Sequence, residues 1–250
     1  MTGVGKELDV QTKGIPWLRV FAEGAVIVGS ILLAFALDAW WGDRSRRAEL
    51  REQASVVADE MESAHQALRA VLDVHEWNAR LVEQLTADLT RVAEGGVVVL
   101  SDSLIGPLLP QATADVTTGS LEAFIAAGGL ELVEDPEVRR DMLAWPTRIE
   151  DLKDDEIYLR NFAAADLASY LRANYAVANA ERLSTALVRS AFGAAPPVDP
   201  ERVGTLTLRH EPRLLNLLAA REAGERGLRS GLVDMLDQAA RIVASLEEVN

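Results

Sequence analysis

The sequence predicts an all-α fold: a single N-terminal transmembrane helix that continues into a long amphipathic helix, followed by an antiparallel helical bundle. Three observations predict it. An apolar run bracketed by tryptophans occupies Trp17 to Trp41. An apolar seam then recurs at three- and four-residue steps from Leu50 to Val92. Beyond it, stretches rich in Leu and Ala keep a helical period between short Gly and Pro breaks. The chain therefore divides into a poorly ordered tail (1–16), a transmembrane helix (17–41) and an extramembrane helical domain (42–250).

The tail contains three glycines and a proline and has no apolar period. The next twenty-five residues, WLRVFAEGAVIVGSILLAFALDAWW, would span about 37 Å as a helix, against a hydrocarbon core of about 30 Å. Trp17 stands at one end and Trp40 and Trp41 at the other, where amphipathic rings suit the headgroup level. Basic residues follow at Arg44, Arg46, Arg47 and Arg51, placed for lipid headgroups. The strictly uncharged run is Gly24 to Leu37, closed by Glu23 and Asp38. A signal peptide is the rival reading, since Ala34-Phe35-Ala36 resembles a cleavage site and Lys6, Lys13 and Arg19 supply a basic start. Glu23 argues against it, as a carboxylate inside what would be the apolar core.

Glu23 and Asp38 admit two readings. Both lie within two turns of an end, and Arg19 is placed to pair with Glu23 four residues on. They then act as interfacial carboxylates that set helix depth. Alternatively, Glu23, Ile27, Ser30, Ala34, Asp38 and Trp41 follow one another at helical steps and form a contact face for another helix, or line a pore. Gly24, Gly29, Ser30 and Ala34 are small enough to let such a helix approach closely.

The seam of the next helix runs Leu50, Ala54, Val57, Met61, Ala64, Leu68, Val71, His75, Asn78, Val82, Leu85, Leu89, Val92. Its period near 3.5 marks an amphipathic or coiled-coil helix. No proline interrupts it, and Gly95-Gly96 supplies a stop. His75 and Asn78 sit mid-seam, where polar residues more often fix register than perform chemistry. Val97 to Leu100 reads as a strand or an extended loop. Leu121 to Ala127 reads as a short helix closed by Gly128-Gly129, with Leu130 and Val133 as apolar plugs. Asp135-Pro136-Glu137 is a helix start, a capping acid followed by proline at the first helical position. That helix should kink or break at Pro146. A helical face continues through Ile149, Leu152, Leu159, Phe162, Leu167, Tyr170, Leu171 and Tyr175, and Glu181 to Phe192 reads as another helix. The longest loop begins at Ala194-Ala195-Pro196-Pro197, with further starts at Asp199-Pro200 and Glu211-Pro212. The last helix places Leu214, Leu218, Leu228, Leu232, Met235, Ala239, Ile242 and Leu246 on one side, where Arg221 and Glu225 interrupt and are spaced to pair.

Composition narrows the function. With 49% hydrophobic and 26% charged residues, the chain is not wholesale disordered. Its formal charge of −14 repels nucleic acid over long range, which argues against a general nucleic-acid binder. There are no cysteines, hence no disulfide, thiolate metal site or Cys nucleophile. Flanking charge, four basic residues after the anchor against three before it, leans toward a cytoplasmic C-terminal domain.

The spacing Glu23, Ser30, Ala34, Asp38, Trp40 resembles the anchor of an uncharacterised family of bacterial single-pass membrane proteins, which usually carry Gly where Ser30 stands. Thr118 to Arg140 (TGSLEAFIAAGGLELVEDPEVRR) is similar to a later segment of that family. The resemblance implies a bacterial inner-membrane anchor carrying a helical domain and implies no activity.

No catalytic or cofactor set stands out. Glu62 and His65 form one Glu-x-x-His pair, but a di-iron site needs a second pair and two more carboxylates. Asp151, Asp154, Asp155 and Glu156 lack the glycine and ligand spacing of a calcium loop and read as a solvated helix face. There is no Gly-x-Ser-x-Gly elbow. Trp145, Tyr158, Phe162, Tyr170 and Tyr175 read either as core or as the lining of an apolar pocket. The expected function is thus a non-enzymatic membrane scaffold or accessory subunit whose partners are lipid and other membrane proteins or itself. The alternative is a membrane-anchored sensor of a small ligand or lipid.

Overall fold

The computed structural model describes residues 17–109, 112–183 and 204–249. The predicted tail, most of the predicted helix Glu181 to Phe192 and the long loop after it lie outside them. The chain divides into two compact units, Met1–Glu49 and Leu50–Asn250. It is mostly helical, and helix α1 runs unbroken over Trp17–Thr90.

In the first unit, every described side chain from Phe21 to Glu49 is exposed. The stretch that follows Glu23 is long and apolar enough to cross a membrane, and none of it is buried. A core helix of the same composition would cover such a surface against its neighbours.

In the second unit the seam of α1 is the core face. Leu50, Ala54, Val57, Met61, Ala64, Leu68, Val71, His75, Asn78, Val82, Leu85 and Leu89 are all buried. After α1 come strand β1 (Val97–Ser101), helix α2 (Asp102–Ile105), helix α3 (Gly119–Ala126), helix α4 (Pro136–Asn161), helix α5 (Ala168–Asn174), strand β2 (Thr205–Arg209) and helix α6 (Pro212–Val249). Helix α4 runs antiparallel to α6. Asp141 meets Arg241 and Arg148 meets Gln238 at one end, while Leu159 lies over Gly224 further along. Between α1 and α6, His75 faces Glu225.

The local signals at element ends operate as chemistry predicts. Asp135 accepts the Glu137 amide at 2.7 Å, with Pro136 at the first helical position. Gly128 takes φ +89° after α3, a conformation that side chains disfavour. Gly129 then lies against the Phe124 ring so closely that a Cβ there would overlap it. The N-terminus of α3 is capped from α1: the Glu60 carboxylate accepts the Ser120 amide at 2.9 Å.

Four expectations need correction. The fold is not purely α, because β1 pairs antiparallel with β2, Val97 against Arg209 through Ser101 against Thr205. The alternation in TLTLR buries Leu206 and Leu208 and exposes its neighbours, a period-two signal that the sequence carried. Second, α1 stops at Thr90, before Val92. Gly95, at φ +80°, and Gly96 instead extend the ribbon by exchanging backbone bonds with His210. Third, of the kink or break expected at Pro146, the break does not occur, and α4 runs through it. The residues around it, Met142, Trp145 and Ile149, are buried, and this packing offsets the lost hydrogen bond. Fourth, Glu156 leaves the solvated acidic face and is buried.

Between α4 and α5, residues Phe162–Leu167 form a π-turn. Leu159, Ala163, Leu167 and Leu171 are all buried at four-residue steps. In a regular helix such steps drift about 40° each, because four residues exceed one turn of 3.6. The wider turn removes that drift and keeps the stripe facing the core.

Candidate functional site: an unburied apolar helix and a buried ionic layer

Two features carry functional information. The first is the anchor. Trp40 and Trp41 are exposed with ring centroids 6.3 Å apart, and the Arg44 guanidinium lies 5.8 Å from the Trp40 ring centre. Arg47 pairs with Asp43 at 3.1 Å, and both are exposed. Arg46 is exposed as well. Trp17 opens α1, and its side chain lies outside the described residues. On the predicted contact face, Glu23, Ser30, Ala34 and Asp38 are all exposed. The Ser30 hydroxyl donates to the Ile27 carbonyl at 2.8 Å, which satisfies it within the helix. The glycine positions Gly24 and Gly29 are open, with no atom near an added Cβ. The face is thus made of small or short side chains and is exposed among the described residues.

The second feature lies inside the other unit and was only half legible in the sequence. Two apolar clusters fill that unit. One gathers Ala54 to Leu72 of α1, α3, α4 and Leu228 to Leu246 of α6. The other gathers Leu81 to Leu89, the ribbon, Leu167 to Leu171 and Leu214 to Leu218. In the intervening sequence of α1 and α6 stand His75, Asn78, Arg221 and Glu225, none more than 1% exposed. His75 Nδ1 lies 2.6 Å from Glu225 Oε2, and Arg221 Nη2 lies 2.7 Å from Glu225 Oε1. His75 Nε2 donates to the Ala112 carbonyl at 3.1 Å, and Arg221 Nη1 donates to the Leu159 carbonyl at 3.5 Å. Burial pushes the Arg221 guanidinium down from its ordinary value, and Glu225 works against that. Asn78 Oδ1, Arg221 Nε, Arg221 Nη2 and Glu225 Oε1 have no hydrogen-bond partner among the described residues, so the Arg221–Glu225 contact is an ion pair by distance without hydrogen-bond alignment. A layer of this kind costs desolvation energy and returns it only incompletely.

The Arg221–Glu225 pair was predictable from spacing. The partner of His75 was not, because it lies 150 residues away. Glu156 was missed as well. Its carboxylate accepts the Ala114 amide at 2.8 Å, and desolvation raises its pKa against the opposing pull of that bond and of His75.

The remaining candidates stay apart. Glu62 is exposed and bonds Gln66, and no group of three or more His, Asp or Glu suited to a metal occurs among the described residues. The aromatic residues converge only in part: Tyr170 and Tyr175 meet edge to face with ring centroids 6.1 Å apart. Trp145 belongs to the first apolar cluster, Phe162 and Tyr170 to the second, and Tyr158 is exposed. A cleft of about 400 Å³ opens between α4 and α6 instead, lined by Arg148, Asp151, Asp155, Asp234, Asp237 and Arg241 among others. No protein-family model matches this chain, and neither a curated protein nor a solved structure matches it.

Proposed function

We propose that this chain is a non-enzymatic, single-pass membrane protein of a bacterial inner membrane. It serves as a helical scaffold or accessory subunit, through self-association or docking to other membrane proteins, and its membrane-external part is a helical bundle. One observation carries the reading: an apolar stretch of membrane-crossing length has no residue buried, yet the helix it belongs to supplies a core seam further on. A surface of that size is costly in water and stable in lipid. Its face of Glu23, Ser30, Ala34 and Asp38 is small and polar enough for close helix contact, and Trp40, Trp41 and the arginines suit the boundary. No cofactor enters this role, and lipid and membrane proteins are its partners.

The absence of native cysteine makes the test clean. Membranes carrying the full chain are washed at alkaline pH and the pellet is assayed; the protein should stay with the lipid. Ser30→Cys or Ala34→Cys should then give oxidative crosslinks to a second copy or to another membrane protein, while Leu32→Cys, on the opposite side of the helix, should not. Release by the wash would remove the anchor, and equal crosslinking from both sides would remove the contact face.

A further inference from the structure

The ribbon of β1 and β2 has an open edge along β1. Its ladder runs from the His210 N–H on the Gly96 carbonyl to the Asp102 N–H on the Gly204 carbonyl, through Val98 opposite Leu208 and Leu100 opposite Leu206. In an antiparallel pair, residues that exchange these bonds alternate with residues that do not. The N–H and C=O groups of Val97 and Val99 therefore point away from β2. Among the described residues no third strand joins the sheet. Side chains alternate in the same way. Leu100, Leu206 and Leu208 are buried, whereas Val97 is 55% and Val99 63% exposed.

An edge of this kind templates another strand, and proteins ordinarily blunt it with charge or proline. The outer edge of β2 is blunted. It presents Thr205, Thr207 and Arg209, and the Arg209 guanidinium lies 3.9 Å from Glu211. The run Gly95 to Ser101 contains no charged residue and no proline. We propose that the outer edge of β1 pairs antiparallel with β1 of a second copy of this chain, about a two-fold axis at Val99, in a continuous sheet ordered β2, β1, β1, β2. This takes the self-association branch of the function proposed above and rests on it, while adding a surface separate from the anchor face.

Register and charge select a second copy as the occupant. A two-fold axis at Val99 sets Val99 opposite Val99 of the second copy and Val97 opposite Ser101. The main-chain groups of both valines already aim at that seam, so hydrogen bonds form on either side of the axis. On the exposed face, the central row across the sheet reads Thr207, Val99, Val99, Thr207, and the flanking row reads Arg209, Val97, Ser101, Thr205. β-Branched side chains meet at the centre, and no like charges stand opposite each other. The two Arg209 side chains fall at opposite corners. This matters for a chain with a formal charge of −14, because copies repel each other over long range. The paired residues include no acid, so they meet without adding to that repulsion. Confinement to one membrane by the anchor raises the effective concentration of copies.

Oxidative crosslinking of the full chain in membranes tests this, since the chain has no cysteine of its own. Residues opposed on this seam lie about 5.5 Å apart between Cα atoms, within reach of a disulfide. The two copies of Val97 lie four residues apart along the strand, about 14 Å, which is too far. Val99→Cys should therefore give a disulfide dimer of this chain. Val97→Cys, and Thr207→Cys on the strand beyond, should not. All of these positions are exposed, so the substitutions leave the core intact. Adding Val97→Pro to the Val99→Cys chain removes an outward N–H and spares the bonds to β2; the dimer should be lost. Absence of a dimer from Val99→Cys would overturn the proposal, as would equal yields from positions 97, 99 and 207. A crosslink from Val99→Cys to a different protein would overturn the second copy as occupant. The anchor is read separately, by retention in the alkaline wash and by the crosslinks from Ser30→Cys and Ala34→Cys, so either reading can fail while the other stands.

Discussion

At the scale of single residues, the ionic layer presents an asymmetry that mutation can expose. Glu225 faces two buried partners at once, a hydrogen bond to His75 and an ion pair with Arg221. Glu225→Ala strands both, and the expected cost is about 3–5 kcal/mol in denaturant unfolding. Replacing His75, Arg221 and Glu225 together by apolar residues of similar volume should instead be neutral or stabilising, by about 1–4 kcal/mol. If the triple replacement is as damaging as the single one, the layer contributes net stability, and its reading as a register device fails. The sequence placed His75 and Asn78 on a core seam and proposed the Arg221–Glu225 pair. It could not supply the contact from His75 to Glu225, because helical spacing reports neighbours on one helix and says nothing of which helix comes to face it.

At the scale of elements, the three glycines of α6 separate by environment. A Cβ at position 224 would lie 2.6 Å from Leu159 Cδ1, whereas positions 227 and 231 have nothing near. Gly227→Ala and Gly231→Ala should therefore stabilise the helix, by about 0.5–1 kcal/mol each. Gly224→Ala forces Leu159 aside, and overpacking of about 1–3 kcal/mol opposes the helix gain. Thermal unfolding should rank the three variants in that order, and Leu159→Ala should remove the penalty at 224 in a double-mutant cycle. At the start of α4, Asp135→Ala removes an observed cap, with an expected cost of about 1 kcal/mol. That cap was visible in the sequence as Asp-Pro-Glu. The continuity of α4 through Pro146 was not, since proline's local penalty is read from the residue alone and the packing of Trp145 that outweighs it is tertiary.

At the scale of the molecule, the division at Glu49 and Leu50 makes a direct prediction. A fragment from Leu50 onward should be soluble without detergent and should keep the helical circular dichroism of the intact domain. The full chain should require detergent or lipid. Aggregation of the fragment in plain buffer would show that the first unit also shields the second. The sequence placed its boundary at residue 42, on composition: hydrophobic residues all round the helix before Asp38, and apolar residues on one stripe after Leu50.

The sequence by itself determined the positions of the apolar helix, the α1 seam and the capped start of α4. Each of those follows from periodicity or from the backbone preferences of a few adjacent residues. Tertiary structure alone decided that Val97 to Ser101 pairs with a strand more than a hundred residues later, and that Glu156 turns inward to hold the Ala114 amide. It alone placed a charged layer between two apolar clusters. These depend on which segments meet. Burial of a polar group is set by the partner that arrives, and a partner distant in the chain leaves no local mark on the residues that await it.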